Sequence, residues 1–200
     1  MHHSDSATVT TVDTLAKLLD VCGELRASEQ VDERAVTGCS FDSRAVSAGD
    51  VFFCKGAAFK PAFLRMALDA GAVAFVCEES LVESLEPLAQ ESGAAMLVVD
   101  SVRTAMALLP PEVYDRPDHD VKIVGITGTK GKTTAAFMLQ SIIKAAGESC
   151  GMIGSVSTDD GIECYESTNT TPEAPEVWRH IANCRTSGRQ SMVMEVSSQA

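Results

Sequence analysis

Ten consecutive residues, Gly125-Ile126-Thr127-Gly128-Thr129-Lys130-Gly131-Lys132-Thr133-Thr134, have the types and spacing needed to hold a polyanion. Glycines at 128 and 131 allow the backbone to turn so that successive N–H groups face phosphate oxygens. A helix beginning at Lys132 adds the positive end of its dipole. Lys132 is spaced to reach the outer phosphates of a nucleotide, and Thr133 to offer its hydroxyl to Mg²⁺. The chemistry expected is therefore ATP binding with magnesium. Gly128, Thr129, Lys130, Gly131, Lys132, Thr133 and Thr134 form the binding loop, and Lys132 is its catalytic cation. The pattern departs from G-x-x-x-x-G-K-[ST] at one place. Ile126 stands where that pattern has glycine, and Gly125 comes one residue early.

A second feature is the apolar run Ser191-Met192-Val193-Met194, which ends in Glu195. Phosphate-loop enzymes place a metal-binding carboxylate at such a strand end, so Glu195 is expected beside Thr133 as a Mg²⁺ ligand. Two further segments are less telling by themselves. Ser167-Thr168-Asn169-Thr170-Thr171-Pro172-Glu173 is a hydroxyl-rich loop in which Thr170 or Thr171 could cap a helix starting at Pro172. Phe41-Asp42-Ser43-Arg44 is a turn followed by a surface charge.

These residues need elements to position them. The apolar spacing predicts helices over 12–19, from Pro61 to a stop at Gly71, over 80–90 and over 101–109. Strands are predicted over 36–41, 51–54, 72–77 and 95–99, with Ser47-Ala48-Gly49-Asp50 as a turn between the first two. The prolines and charges from Pro110 to Asp120 interrupt both periodicities and mark a domain boundary. Asp118-His119-Asp120 within that stretch reads as solvated linker and not as a metal site. A strand over 121–126, a helix over 132–146 and a short strand over 149–153 follow. A hairpin around Asp159-Asp160-Gly161, a helix from Pro172 to about Thr186 and a strand over 191–196 come next. This alternation begins a doubly wound α/β nucleotide fold. The expected domains are 1–112 and 113–200, the second incomplete because a parallel sheet needs more strands to close its core.

Composition sets the wider bounds. The chain has 200 residues, enough for one domain or two small ones, and its 45% hydrophobic and 22% charged content is ordinary for a soluble globular protein. Its net charge of −12 argues against a nucleic-acid-binding surface. No apolar run approaches the roughly 20 residues that span a bilayer, and no leader pattern opens the chain, so the cytoplasm is the expected compartment. The seven cysteines are scattered without a C-x-x-C pair, and are expected to be reduced core residues.

Taken together, these segments resemble the Mur ligase family of peptidoglycan synthesis, most closely its tripeptide-synthetase branch. The loop Thr127-Gly128-Thr129-Lys130-Gly131-Lys132-Thr133-Thr134 is similar to the family's variant, which accounts for Ile126. Asn169-Thr170-Thr171-Pro172-Glu173 and Met194-Glu195-Val196-Ser197-Ser198-Gln199-Ala200 resemble two more family motifs, and the first points to the tripeptide-forming branch. Asp42-Ser43-Arg44, Gly49-Asp50-Val51-Phe52 and Ala70-Gly71-Ala72 resemble its N-terminal domain.

The resemblance implies a small N-terminal α/β domain for a uridine nucleotide, followed by the first part of a phosphate-loop parallel-sheet ATPase domain. It implies a ligase that joins L-lysine or meso-diaminopimelate to UDP-N-acetylmuramoyl-L-alanyl-D-glutamate through an acyl phosphate. Phe41 and Ser43 would then contact the UDP moiety. Asn169, Thr170, Thr171 and Ser197 would hold the muramoyl-peptide end. The chain departs from many relatives in the compact loop Ala57-Ala58-Phe59-Lys60-Pro61, and in Gln199 where some have histidine. A downstream metal-site lysine and the amino-acid-binding domain lie outside these 200 residues, so ligase activity is not expected from them alone.

Overall fold

Val12, Leu15, Ala16 and Leu19 recur at helical spacing and all four are buried, so α1 (Val12–Val21) forms against a sheet. Thr11 caps it by accepting a hydrogen bond from the Thr14 N–H at 3.2 Å. The computed structural model describes residues 9–167 and 169–197. It divides into two compact units, Met1–Asp115 and Arg116–Ala200.

In the first unit α1 is followed by β1 (Leu25–Glu29), β2 (Gly38–Ser40), β3 (Asp50–Phe53), α2 (Pro61–Asp69) and β4 (Ala74–Glu78). Then come α3 (Val82–Ser92), β5 (Ala95–Val99) and α4 (Val102–Val113). The strands form one sheet in the order β1-β5-β4-β3-β2, parallel except for β1. Side chains alternate between its faces. Phe53, Val76 and Leu97 pack with α1 and α4, while Phe52, Phe75 and Met96 pack with α2 and α3. Strands covered on both faces carry continuous apolar runs, here 51–53, 74–77 and 95–99, which makes β3, β4 and β5 the easiest to read from sequence. Although a turn separates β2 from β3, the two pair in parallel, Gly38 against Asp50.

Two elements differ from the sequence expectation. β1 is an unforeseen edge strand: its residues Leu25-Arg26-Ala27-Ser28-Glu29 are mostly exposed and polar. It is set by antiparallel pairing with β5 and by the Arg26–Asp100 ion pair. α4 does not stop at Leu109 but continues through buried Pro110 and Pro111 to Val113. A proline gives up its own N–H yet keeps its carbonyl, and the Pro110 carbonyl accepts from the Tyr114 N–H at 3.0 Å. The chain is turned away instead at Asp115 and Arg116, whose φ values of 55° and 44° are left-handed.

In the second unit the order is β6 (Lys122–Ile126), α5 (Lys132–Ala145), β7 (Cys150–Ile153), β8 (Ser157–Asp159), β9 (Cys164–Glu166), α6 (Ala174–Thr186) and β10 (Ser191–Glu195). The sheet order is β6-β10-β7-β8-β9, with the first three parallel and the last two joined antiparallel as a hairpin. The sheet is therefore mixed and not purely parallel. Ala136 of α5 packs with Cys150, Met152 and Val193 on one face, and Ile181 and Cys184 of α6 pack with Ile153 and Met192 on the other. α6 begins at Ala174, two residues later than the sequence suggests. Glu173 is its N-cap, and the Glu173 N–H donates to Glu176 Oε2 at 3.3 Å.

Cys39, Cys54, Cys77, Cys150 and Cys184 are buried, and Cys22 and Cys164 are exposed. Burial pushes the thiols of Cys77 and Cys184 up to about 12, which keeps them protonated core residues. Among the described residues no helix is long and apolar enough to cross a membrane.

Candidate active site

The register of the second sheet assembles the site. β10 lies between β6 and β7, with Glu195 opposite Ile126, the last residue before the phosphate loop. The Val196 N–H donates to the Ile126 carbonyl at 2.8 Å and closes this end of the strand pair. A carboxylate from residue 195 is thus delivered to the loop that residue 126 opens. The loop itself is exposed, with Gly128 at φ 148° and Gly131, the N-cap of α5, at φ 82°. Both angles suit glycine and disfavour any side chain. Thr129 and Lys130 lie on the exposed turn between them, and Lys132, Thr133 and Thr134 form the first turn of α5. The first N–H groups of a helix lack intrahelical acceptors and so face outward from this turn. Lys132 Nζ donates to the Gly128 carbonyl at 2.9 Å, holding the ammonium over the loop.

Thr133 Oγ1 donates to Glu195 Oε2 at 2.9 Å. Glu195 is 1% exposed, and among the described residues no basic side chain pairs with it. A buried carboxylate without a basic partner, hydrogen-bonded to a threonine hydroxyl, is a hard oxygen donor set of the kind Mg²⁺ takes. These residues fit the ion, with Thr133 and Glu195 as the pair that would hold it.

The sequence did not point to the residues that fix Glu195 from the other side. β7 pairs Ile153 with Met194, so Gly154 and Ser155 continue alongside Glu195. The Ser155 N–H donates to Glu195 Oε1 at 2.8 Å, and Ser155 Oγ lies 3.3 Å from Oε2. A Cβ at Gly154 would stand 2.5 Å from Oε1, so this position must lack a side chain for the carboxylate to sit where it does. A Gly-Ser pair after a short apolar strand was the only signal available, and it is a common one.

The hydroxyl-rich loop is brought to the same place. Thr171 does not cap α6. Its Oγ1 donates to the Glu195 carbonyl at 2.8 Å and accepts from the Ser197 N–H at 2.9 Å. Thr170 Oγ1 accepts from Ser155 Oγ at 3.0 Å, and Asn169 is exposed at the bend before it. Ser198, Gln199 and Thr168 lie outside the described residues.

Phe41 and Ser43 belong to the first unit and line a cavity of about 490 Å³ there, together with Lys55, Phe59, Phe63 and Met66. Lys55 Nζ stands 5.2 Å from the Phe41 ring centroid, within cation–π range. Phe59 and Phe63 meet edge to face at 6.5 Å. Ser43 Oγ is 4.0 Å from Met66 Sδ. Asp42 accepts from the Arg44 side chain at 2.7 Å, which holds its carboxyl below the usual range. The compact loop 57–61 thus contributes Ala58 and Phe59 to the cavity lining.

A second acidic cluster, Asp160, Glu163 and His180, has its ligand atoms close together but committed. Asp160 Oδ1 accepts from the N–H groups of Ile162 and Glu163, and Oδ2 from His180 Nδ1 and Asn183 Nδ2. His180 Nε2 meets the Tyr165 hydroxyl at 3.1 Å, and Glu163 pairs with Arg179. This network ties the β8–β9 hairpin to α6.

Residues 126–200 match the Mur ligase middle domain. A UDP-N-acetylmuramyl-tripeptide synthetase of Lactobacillus delbrueckii subsp. bulgaricus is 40% identical over 165 residues, covering 80% of this chain and 31% of that protein. A UDP-N-acetylmuramoyl-L-alanyl-D-glutamate--L-lysine ligase of Enterococcus faecalis is 38% identical over 178 residues, covering 88% of this chain and 34% of its own length. In fold, the chain is similar to a solved UDP-N-acetylmuramoyl-L-alanyl-D-glutamate--2,6-diaminopimelate ligase, with a TM-score of 0.68 and 17% identity over 96% of this chain and 37% of that one. The chain spans about a third of the length of the curated relatives it matches. The phosphate loop of the Thr127–Thr134 type thus opens from the parallel strands of a stretch, residues 126–200, that is a Mur ligase middle domain, within a chain similar over most of its length to tripeptide-forming Mur ligases.

Proposed function

We propose that this chain supplies the UDP-substrate and ATP sites of a cytoplasmic ligase that adds L-lysine or meso-diaminopimelate to UDP-N-acetylmuramoyl-L-alanyl-D-glutamate. The observation that carries the reading is the convergence of Thr133, Glu195 and the Thr170–Thr171 loop at the mouth of one phosphate loop. Residues 1–112 would form the UDP-substrate domain and 113–200 part of the ATP domain.

In the reaction, the free carboxylate of D-glutamate takes the γ-phosphoryl group of ATP and ADP departs. The amine of the incoming amino acid then attacks the acyl phosphate, phosphate leaves, and the amine loses its proton. The first step sets two anions together, so the site must offset their repulsion. Lys132 and the N–H groups at the start of α5 do this along the phosphates. Mg²⁺, when bound by Thr133 and Glu195, would neutralise the phosphoryl oxygens. Asn169, Thr170, Thr171 and Ser197 would orient the acceptor's peptide end, and Phe41 and Ser43 its UDP end.

Titration of the purified chain with UDP-N-acetylmuramoyl-L-alanyl-D-glutamate and with the corresponding tripeptide tests the acceptor assignment. Preference for the dipeptide is expected, and equal or reversed preference would point to another ligase of this family. Phe41→Ala should weaken binding of the UDP-linked acceptor by about tenfold through loss of one aromatic contact and its cation–π partner. Unchanged affinity would remove the first-unit cavity from the proposal.

Gly154→Ala is expected to disable the metal ligand without touching the loop. Its Cβ would meet Glu195 Oε1 at 2.5 Å, and a carboxylate that is 1% exposed has little room to yield. The displacement should cost about 1–3 kcal/mol of stability and abolish the Mg²⁺-dependent part of nucleotide affinity. Calorimetric titration with ATP, with and without Mg²⁺, reads this directly. A wild-type magnesium response in the variant would remove Glu195 from the metal site.

A further inference from the structure

We propose that Ser155 is a positioning residue that couples occupancy of the metal–nucleotide site to the order of the Asn169–Thr171 loop. The inference rests on the function proposed above and adds a regulatory link within the same site. Ser155 touches both parts. Its N–H and hydroxyl both face the Glu195 carboxylate, at 2.8 and 3.3 Å, and its hydroxyl reaches Thr170 Oγ1 at 3.0 Å. A hydroxyl has one proton to donate. Ser155 Oγ therefore has two acceptors within reach and can satisfy only one at a time.

A cation on Glu195 decides between them. It draws on the Oε2 lone pairs and repels a proton aimed at the same oxygen. The Ser155 proton is then committed to Thr170, and Thr170 is fixed beside Thr171, which is already tied to the Glu195 carbonyl and the Ser197 N–H. Without the cation the proton is shared and the loop is held less firmly. Nucleotide with magnesium thus favours the loop conformation that the acceptor needs. By linkage the acceptor tightens metal–nucleotide binding by the same factor. The order of events suits the chemistry, since phosphoryl transfer should await both ligands.

The test is titration of the purified chain with UDP-N-acetylmuramoyl-L-alanyl-D-glutamate, with and without Mg²⁺ and a non-hydrolysable ATP analogue. Hydrogen exchange of residues 169–171 is followed in parallel. The wild type should bind the acceptor about fivefold more tightly when magnesium and nucleotide are present, the factor expected of one hydrogen bond. Ser155→Ala should lose that tightening and the accompanying exchange protection while still binding nucleotide, and Ser155→Thr should restore both. Thr170→Val removes the same link from the other side and should also uncouple the ligands, which covers the case that Ser155→Ala folds poorly.

Coupling of wild-type size in Ser155→Ala or in Thr170→Val would overturn the inference. So would a wild type that binds both ligands independently. A wild type that binds no nucleotide at all would instead overturn the proposed function, and the inference with it.

Discussion

Lys132→Ala should reduce affinity for Mg²⁺·ATP by about 10- to 150-fold, the range expected for losing a hydrogen bond to a charged partner. The chain should remain folded. Lys132 Nζ makes its hydrogen bond to the exposed loop carbonyl of Gly128 and is not part of either core cluster of the second unit. Its removal therefore leaves the core intact and strips the loop of its ammonium. Lys132→Arg should recover only part of the affinity, because a planar fork cannot replace a compact charge on a four-carbon stem. In a ligase assembled around this site, loss of the cation should lower turnover by about 10²- to 10³-fold, as removal of a preorganised charge-stabilising donor does. Titration with a fluorescent ATP analogue is the direct measurement. Affinity within twofold of wild type would refute the role of Lys132.

The second large effect concerns stability. Asp160→Ala should destabilise the second unit by about 3–5 kcal/mol, because it removes one partner of a buried pair and strands the others. The Asp160 and His180 side chains are fully buried. Truncation leaves His180 Nδ1, Asn183 Nδ2 and the N–H groups of Ile162 and Glu163 without their acceptor. Trp178, the single tryptophan of the chain, packs against the core on the same α6 and reports this unit alone. Urea unfolding followed by its fluorescence should show a lower midpoint with little change in slope. An unchanged midpoint would show that the network contributes nothing to stability.

The same network predicts a dependence on acid. Burial pushes the Asp160 carboxyl up, but hydrogen bonds from the Glu163 N–H, His180, Asn183 and the Ile162 N–H outweigh it and hold the carboxyl below its usual value. An acid with a depressed folded value binds fewer protons folded than unfolded. Its stabilisation is complete above the ordinary aspartate value of about 4 and is lost as the pH falls through the lower folded value. Trp178-monitored stability should therefore decline below about pH 4 in the wild type, and this component should be missing in Asp160→Asn.

Much of the molecule was legible in the sequence, for reasons that differ by element. β4 and β5 carry continuous apolar runs because the sheet is covered on both faces, so their burial is written in composition. The phosphate loop was legible because its function resides in backbone geometry and one cation, both set by local residue types. β1 was not, since an exposed edge strand of mixed polarity takes its conformation from its neighbour β5. The end of α4 was misplaced because two prolines in a last turn lose donors that packing renders dispensable, so the break falls at Asp115 and Arg116.

For the site, the sequence by itself determined the parts: a phosphate loop at 128–134, an acid at the end of a strand, a hydroxyl-rich loop and an aromatic turn at Phe41. Only the tertiary structure decided how they meet. The insertion of β10 between β6 and β7 sets Glu195 beside Ile126 on one side and Gly154 on the other. Strand register is a long-range property, fixed by pairing between segments about 40 to 70 residues apart. No local pattern could therefore single out Gly154 and Ser155, or turn Thr171 from a helix cap into the tie between the loop and the strand that carries Glu195.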